Sequence, residues 1–242
     1  MKSVVLLVGT LALVLMASPA SAAIILDFGT GLLGSSGACT ITATTASCTG
    51  VGIGVMTVIG DGAANGTYLV DGGTQGVEGG TLSFSVSTTS PATDTLTITG
   101  SIDCAVGFTG GLCSAADNTA NKELVATSIL ASGSGFSGVT ITGAGTPTAE
   151  VFFASASDSK SLALLTALGI TPVFTCSGTP SMCPGWSIDG FSISAQNPTG
   201  AGYTAFSTDV ADVQQVPEPA SILLLGTMLV GVTQLVRRRV KA

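Results

Sequence analysis

An all-β fold is predicted for the body of this chain, a β-sandwich or jelly-roll-like domain carrying one short helix. Three observations predict it. Hydroxyl residues alternate with branched or aromatic ones over several short stretches, the period-two pattern of strands with one wet face. Turn-forming sequences separate these stretches, in a chain that holds 33 glycines. Only one segment spaces its apolar residues as a helix does.

In chain order, the first turn signals are Gly60-Asp61-Gly62, Asn65-Gly66 and Asp71-Gly72-Gly73. Leu82, Phe84 and Val86 then alternate with serine from Thr81 to Ser87, and Thr95-Leu96-Thr97-Ile98-Thr99 repeats the pattern. Gly110-Gly111 and Gly143-Ala144-Gly145 are further turns, the second following a strand expected at Val139-Thr140-Ile141-Thr142. Ser159 to Gly169 carries Leu162, Ala163, Leu165 and Leu168 at helical spacing, with Gly169 as a stop. A short helix on a sheet edge is expected there, a strand being the alternative. Asp189-Gly190, between Trp186-Ser187-Ile188 and Phe191-Ser192-Ile193-Ser194, predicts a tight hairpin. Small and polar residues dominate 196–216, which reads as a stalk behind a β-rich domain over 23–195. Many short strands with glycine-rich turns are the raw material of sandwiches and jelly rolls.

The two ends have a different construction. Lys2 precedes an apolar run from Val4 to Met16, and Ser18-Pro19-Ala20-Ser21-Ala22 supplies a small-residue ending. These are the three parts of a secretory signal peptide over 1–22, with Ala20 and Ala22 as the signal peptidase site and Ala23 as the mature start. At the other end, Pro217-Glu218-Pro219 leads into 17 uncharged residues, Ala220 to Val236, and then Arg237, Arg238, Arg239 and Lys241. Seventeen residues make roughly 25 Å of helix, the lower limit for crossing a bilayer. The basic cluster acts as a stop-transfer signal and assigns Ala242 to the cytoplasm.

Pro217, Glu218, Pro219, the short apolar helix and the terminal arginines resemble, in that order, the PEP-CTERM sorting signal of Gram-negative bacteria. The resemblance covers 217–242 and does not extend to the fold of the body. It implies a membrane-embedded protease, the exosortase, as a processing partner beside signal peptidase. It also implies transient residence in the inner membrane as a single-pass protein, then a cell-surface or extracellular destination. Association with exopolysaccharide and biofilm matrix is a property the resemblance implies as well.

Between these signals the body has two lysines, Lys122 and Lys160, against thirteen carboxylates, a net charge near −11. Without an arginine it has no guanidinium fork for phosphate, and nucleic acid is a poor partner for so acidic a surface. The chain has no histidine, which removes the usual general base and the commonest metal ligand. No catalytic residue, metal or cofactor is expected. Body length, 194 residues, suffices for one domain with a substantial core.

All six cysteines lie in the body as three near neighbours: Cys39 and Cys48, Cys104 and Cys113, Cys176 and Cys183. In an oxidising compartment an even count reads as disulfides. Fifteen connectivities are possible. The local one closes three tight loops, each worth ~2–3 kcal/mol by chain entropy. A zinc site or a redox pair lacks both histidine and a C-x-x-C spacing.

Other candidates are weaker. Asp61, Asn65, Asp71 and Glu78 bring oxygen ligands to turns, as calcium requires. Asp61, Asn65 and Gly66 fit three positions of an EF-hand loop, but Ala63 and Gly72 break the pattern, so solvated turns are the simpler reading. Ser157-Asp158-Ser159-Lys160 fits S-x-x-K without its companion motifs and reads as chance. Asn65-Gly66-Thr67 is an N-x-T sequon that reads as a turn. The expectation is an exported, non-enzymatic surface or matrix protein. The alternative is a carbohydrate-binding or carboxylate-based glycan-active jelly roll, which one Trp and two Tyr provision poorly.

Overall fold

The computed structural model describes residues 23–31, 37–197 and 202–214. The expected signal peptide with Ala20 and Ala22, the motif Pro217, Glu218 and Pro219, the apolar segment 220–236 and the basic residues Arg237, Arg238, Arg239 and Lys241 lie outside them. Among the described residues no helix is long and apolar enough to cross a membrane.

Strands follow one another as β1 (Ile25–Gly29), β2 (Ala38–Ile41), β3 (Thr45–Ile53), β4 (Val55–Ile59), β5 (Gly66–Asp71), β6 (Gly80–Ser87) and β7 (Thr95–Asp103). After a six-residue helix α1 (Ala115–Ala120) come β8 (Glu123–Ser137), β9 (Thr140–Thr142), β10 (Thr148–Phe153) and β11 (Ser155–Ser161). Helix α2 (Leu162–Leu168) precedes β12 (Met182–Gln196) and β13 (Tyr203–Gln214). Every pairing is antiparallel. The all-β expectation holds.

Strands β7, β8, β11, β12 and β13 form one continuous wall. The opposite wall is built in two halves, β5-β4-β1 and β6-β3-β2, each joined to the first wall at both sides. The junctions are strands that change partner midway. β7 pairs with β6 over Thr95–Thr99 and with β5 over Ser101–Asp103. β13 pairs with β2 at Tyr203 and Thr204, then with β1 from Asp209 to Val213. The walls face each other across one core, the arrangement of a β-sandwich whose sides are closed by shared strands.

Alternation in the sequence explains the inner faces. In β6, Leu82, Phe84 and Val86 are buried and the intervening residues turn outward. Phe84 meets Phe191 of β12 across the core with ring centroids 5.1 Å apart, and Phe191 stacks on Phe153 of β10 at 4.1 Å. Burying each such side chain contributes roughly 1.5–3 kcal/mol. At the switch in β7 the alternation stops, because Gly100, Ser101, Ile102 and Asp103 are all buried. A Cβ on Gly100 would lie 2.8 Å from the Asp71 carbonyl oxygen, so only glycine lets the strands approach there.

Helix α2 lies within the expected segment, with Ser161 rather than Ser159 at its start. The Ser161 hydroxyl accepts from the Leu164 amide at 3.1 Å, and Gly169 ends the helix in a left-handed conformation. Its buried residues are Leu164, Leu165 and Leu168, which enter the core, while Leu162 faces outward.

Two expectations are corrected. Asp189-Gly190 makes no hairpin, because β12 runs straight through it and the irregularity is a bulge against β13 between Ile188 and Gly190. The stalk expected over 196–216 contains β13, which pairs with β12, β1 and β2, so the compact unit extends over Ala23–Gln215. Helix α1 was unexpected. Ser114 and Asp117 form a capping box at its start, and Asn121 closes it with a φ of 49°.

Candidate functional site

The six cysteines form the three local pairs. Cys39–Cys48 joins β2 to β3 at directly opposite register positions. Cys104–Cys113 fastens the end of β7 to the loop ahead of α1, and Cys176–Cys183 fastens the preceding loop to the start of β12. These bonds suit an oxidising, exported environment.

In the acidic turn segment, Asn65 and Asp71 are engaged within the protein. Asn65 spends its Oδ1 on the Asp61 amide at 2.9 Å, and Asp71 is buried, accepting from the Gly73 amide at 2.7 Å and from the Ser101 hydroxyl. Among the described residues no three His, Cys, Asp or Glu side chains are placed to hold a metal. Asp71 is in hydrogen-bond contact with Asp103, which also accepts from the Gly76 amide at 3.3 Å. Burial first, then the hydrogen bond and charge of Asp71, push the Asp103 carboxyl up to about 7. Asp71 is buried too, yet hydrogen bonds from Asp103, Ser101, Gly73 and Gly76 hold it below its ordinary value. The pair therefore holds one proton more tightly than a free carboxyl does.

A second pair lies on the outer face of the β1–β13 junction. Asp27 is raised to about 7 by burial, then by the hydrogen bond and charge of exposed Asp209. Hydrogen-bonded carboxyls stand closer than the ~5 Å or more that glycoside hydrolysis requires between its two acids.

The S-x-x-K segment has a different outcome from the one its motif suggests. It forms part of β11, where positions i and i+3 fall on opposite faces. Ser157 is exposed while Lys160 is completely buried, so no Ser–Lys dyad exists. Lys160 instead contacts the carboxylates of Asp158, two residues back on the same inner face, and of Asp212 on β13. All three side chains are fully shielded from solvent. Phe28 and Trp186 cover the ammonium, with ring centroids 5.1 and 5.8 Å from Nζ. Burial alone would lower the lysine, but Asp158 and Asp212 outweigh it and its pKa rises. Burial carries Asp212 well above the carboxylate range, against the pull of Lys160 and with the help of Asp158. One positive charge faces two carboxyl groups, and a proton on Asp212 makes the cluster neutral.

This cluster was missed in the sequence reading. Its one available signal is that Asp158-Ser159-Lys160 places one of the body's two lysines on the alternating pattern of a strand. Outside it, Ser132 and Ser134 of β8 and Ser157 and Ser159 of β11 line a shallow depression of about 360 Å³ beside Phe174, a residue 51% exposed. Comparison of the chain with family models, with curated proteins and with solved structures found no match.

Proposed function

We propose that this chain is an exported, non-enzymatic cell-surface or extracellular-matrix protein. A signal peptide over 1–22 directs export, and the PEP-CTERM-like tail over 217–242 directs sorting by an exosortase. The observation that carries the proposal is the combination of that ordered tail with a body closed by three disulfides. The hydrogen-bonded geometry of the acid pairs supports a structural use of the carboxylates over a hydrolytic one. Replacing Pro217 and Glu218 by alanine in the native host tests the sorting step. The expected result is accumulation in the membrane of a species that retains Arg237–Ala242, with loss from the surface and medium. Undiminished release of the body from that variant sinks the proposal.

A glycan-binding role is the second reading, and Phe174 beside the four serines of the depression favours it. An aromatic face with hydroxyls around it is the usual provision for a sugar ring in a shallow site. Titration of the exopolysaccharide from the producing cells against the protein and its Phe174→Ala variant decides this reading. Equal affinity for both removes it.

A further inference from the structure

The Asp158–Lys160–Asp212 cluster has the composition and surroundings of a self-condensing site rather than of an ordinary ion pair. A primary amine touches two carboxyl groups inside a water-excluded core, with an aromatic ring on either side of it. Burying three ionisable groups is costly, and replacing a buried ion pair by neutral groups is often stabilising. Amide formation between lysine and aspartate removes the charge entirely. In water the reaction is opposed by ionisation of both reactants, but here the carboxyl of Asp212 is held in its protonated form by its surroundings.

We propose that Lys160 Nζ and Asp212 Cγ condense spontaneously to an intramolecular amide, with Asp158 as the proton-transferring carboxylate. The ammonium gives one proton to Asp158, leaving a neutral amine and a neutral acid. The nitrogen lone pair attacks Cγ of the protonated Asp212, forming the C–N bond and a tetrahedral centre. A second proton moves from nitrogen to an Asp212 oxygen, the C–O bond to the departing hydroxyl breaks, and water leaves. The cluster ends with one amide, one protonated Asp158 and one released water. No oxidant, metal or cofactor takes part. Proximity supplies the rate, because the reacting groups are held in contact by β11 and β13.

The bond would join residues 52 apart in sequence. It would tie β13, the last described strand, to β11 across the intervening β12 of the same wall. A pull on the C-terminal end of β13 would then pass from Asp212 to Lys160 covalently, without first unzipping β13 from β1 and β12.

The test is peptide mapping of the full chain, exported by a Gram-negative host and then reduced and alkylated. The expected result is that trypsin fails to cut after Lys160, that the one peptide then spanning Lys160 and Asp212 is lighter by one water than its sequence, and that further digestion with chymotrypsin, which cuts between them, releases a branched peptide containing both. In the Asp158→Asn variant, whose folding is checked by its three disulfides, the branched peptide is lost or greatly reduced. Complete cleavage after Lys160 in the unmodified chain overturns the proposal, as does a branch ending at Asp158 instead of Asp212. Undiminished branching in Asp158→Asn overturns the assigned role of Asp158.

Discussion

Asp103→Asn isolates the energetic consequence of the proton shared between β5 and β7. In the folded chain the Asp103 carboxyl is raised from 3.8 to about 7. The folded state therefore holds this proton more tightly than the unfolded state does. The associated stability is fully present at low pH and is lost as pH rises from the unfolded value to about 7. Starting at about pH 5, roughly two units of that interval remain, equivalent to at most about 2.7 kcal/mol. The lowering of Asp71 acts only below about pH 4, outside this interval. Asparagine suits the position sterically. Its carbonyl can accept from the Gly76 amide, as Asp103 Oδ2 does, and its amide can donate to Asp71 without titrating. Urea unfolding with disulfides intact, at about pH 5 and about pH 8, should show the variant gaining on the parent by about 1–2.5 kcal/mol over that interval. Parallel pH profiles for the two proteins would refute the shared-proton assignment.

Other consequences follow from the fold. Replacing Cys104 and Cys113 together by serine should cost ~2–3 kcal/mol, read as a lower urea midpoint, whereas an unchanged midpoint would mean the loop is fixed by other contacts. Ser161→Ala removes the buried cap of α2 and should destabilise by about 1 kcal/mol in the same assay, whereas an unchanged midpoint would mean that the Leu164 amide finds another acceptor. Gly100→Ala forces a Cβ against the Asp71 carbonyl oxygen. It should cost about 1–3 kcal/mol in thermal unfolding, and a neutral result would show that β5 and β7 can move apart.

Much of this architecture was legible because the chain writes it locally. Leu82, Phe84 and Val86 alternate with serine on a single strand, and each cysteine has its partner fewer than ten residues away, so pairing needed no tertiary knowledge. Helix α2 announced itself through its leucines and Gly169. β13 did not, because its inner face includes Thr208 and Asp212. Its hydrophobic pattern is blurred at the positions where it matters, and the segment resembled a polar stalk. The bulge at Gly190 carries the same Asp-Gly dipeptide that makes a hairpin elsewhere, and only the pairing of β12 with both β13 and β11 keeps the strand straight. The buried cluster was hidden for a related reason. A lysine and two aspartates look like surface residues until the topology brings β11 and β13 to one interior point. Closure of the walls through β7 and β13 is likewise a property of long-range register that no local window contains.

Export of the body and removal of its tail are read out together by the intact mass of the protein isolated from surface and medium of the producing cells, before and after reduction. The expected chain begins at Ala23, ends between Val216 and Pro219, and gains six hydrogens on reduction. A species that keeps Arg237–Ala242 in those fractions, or that carries free cysteines, would contradict it.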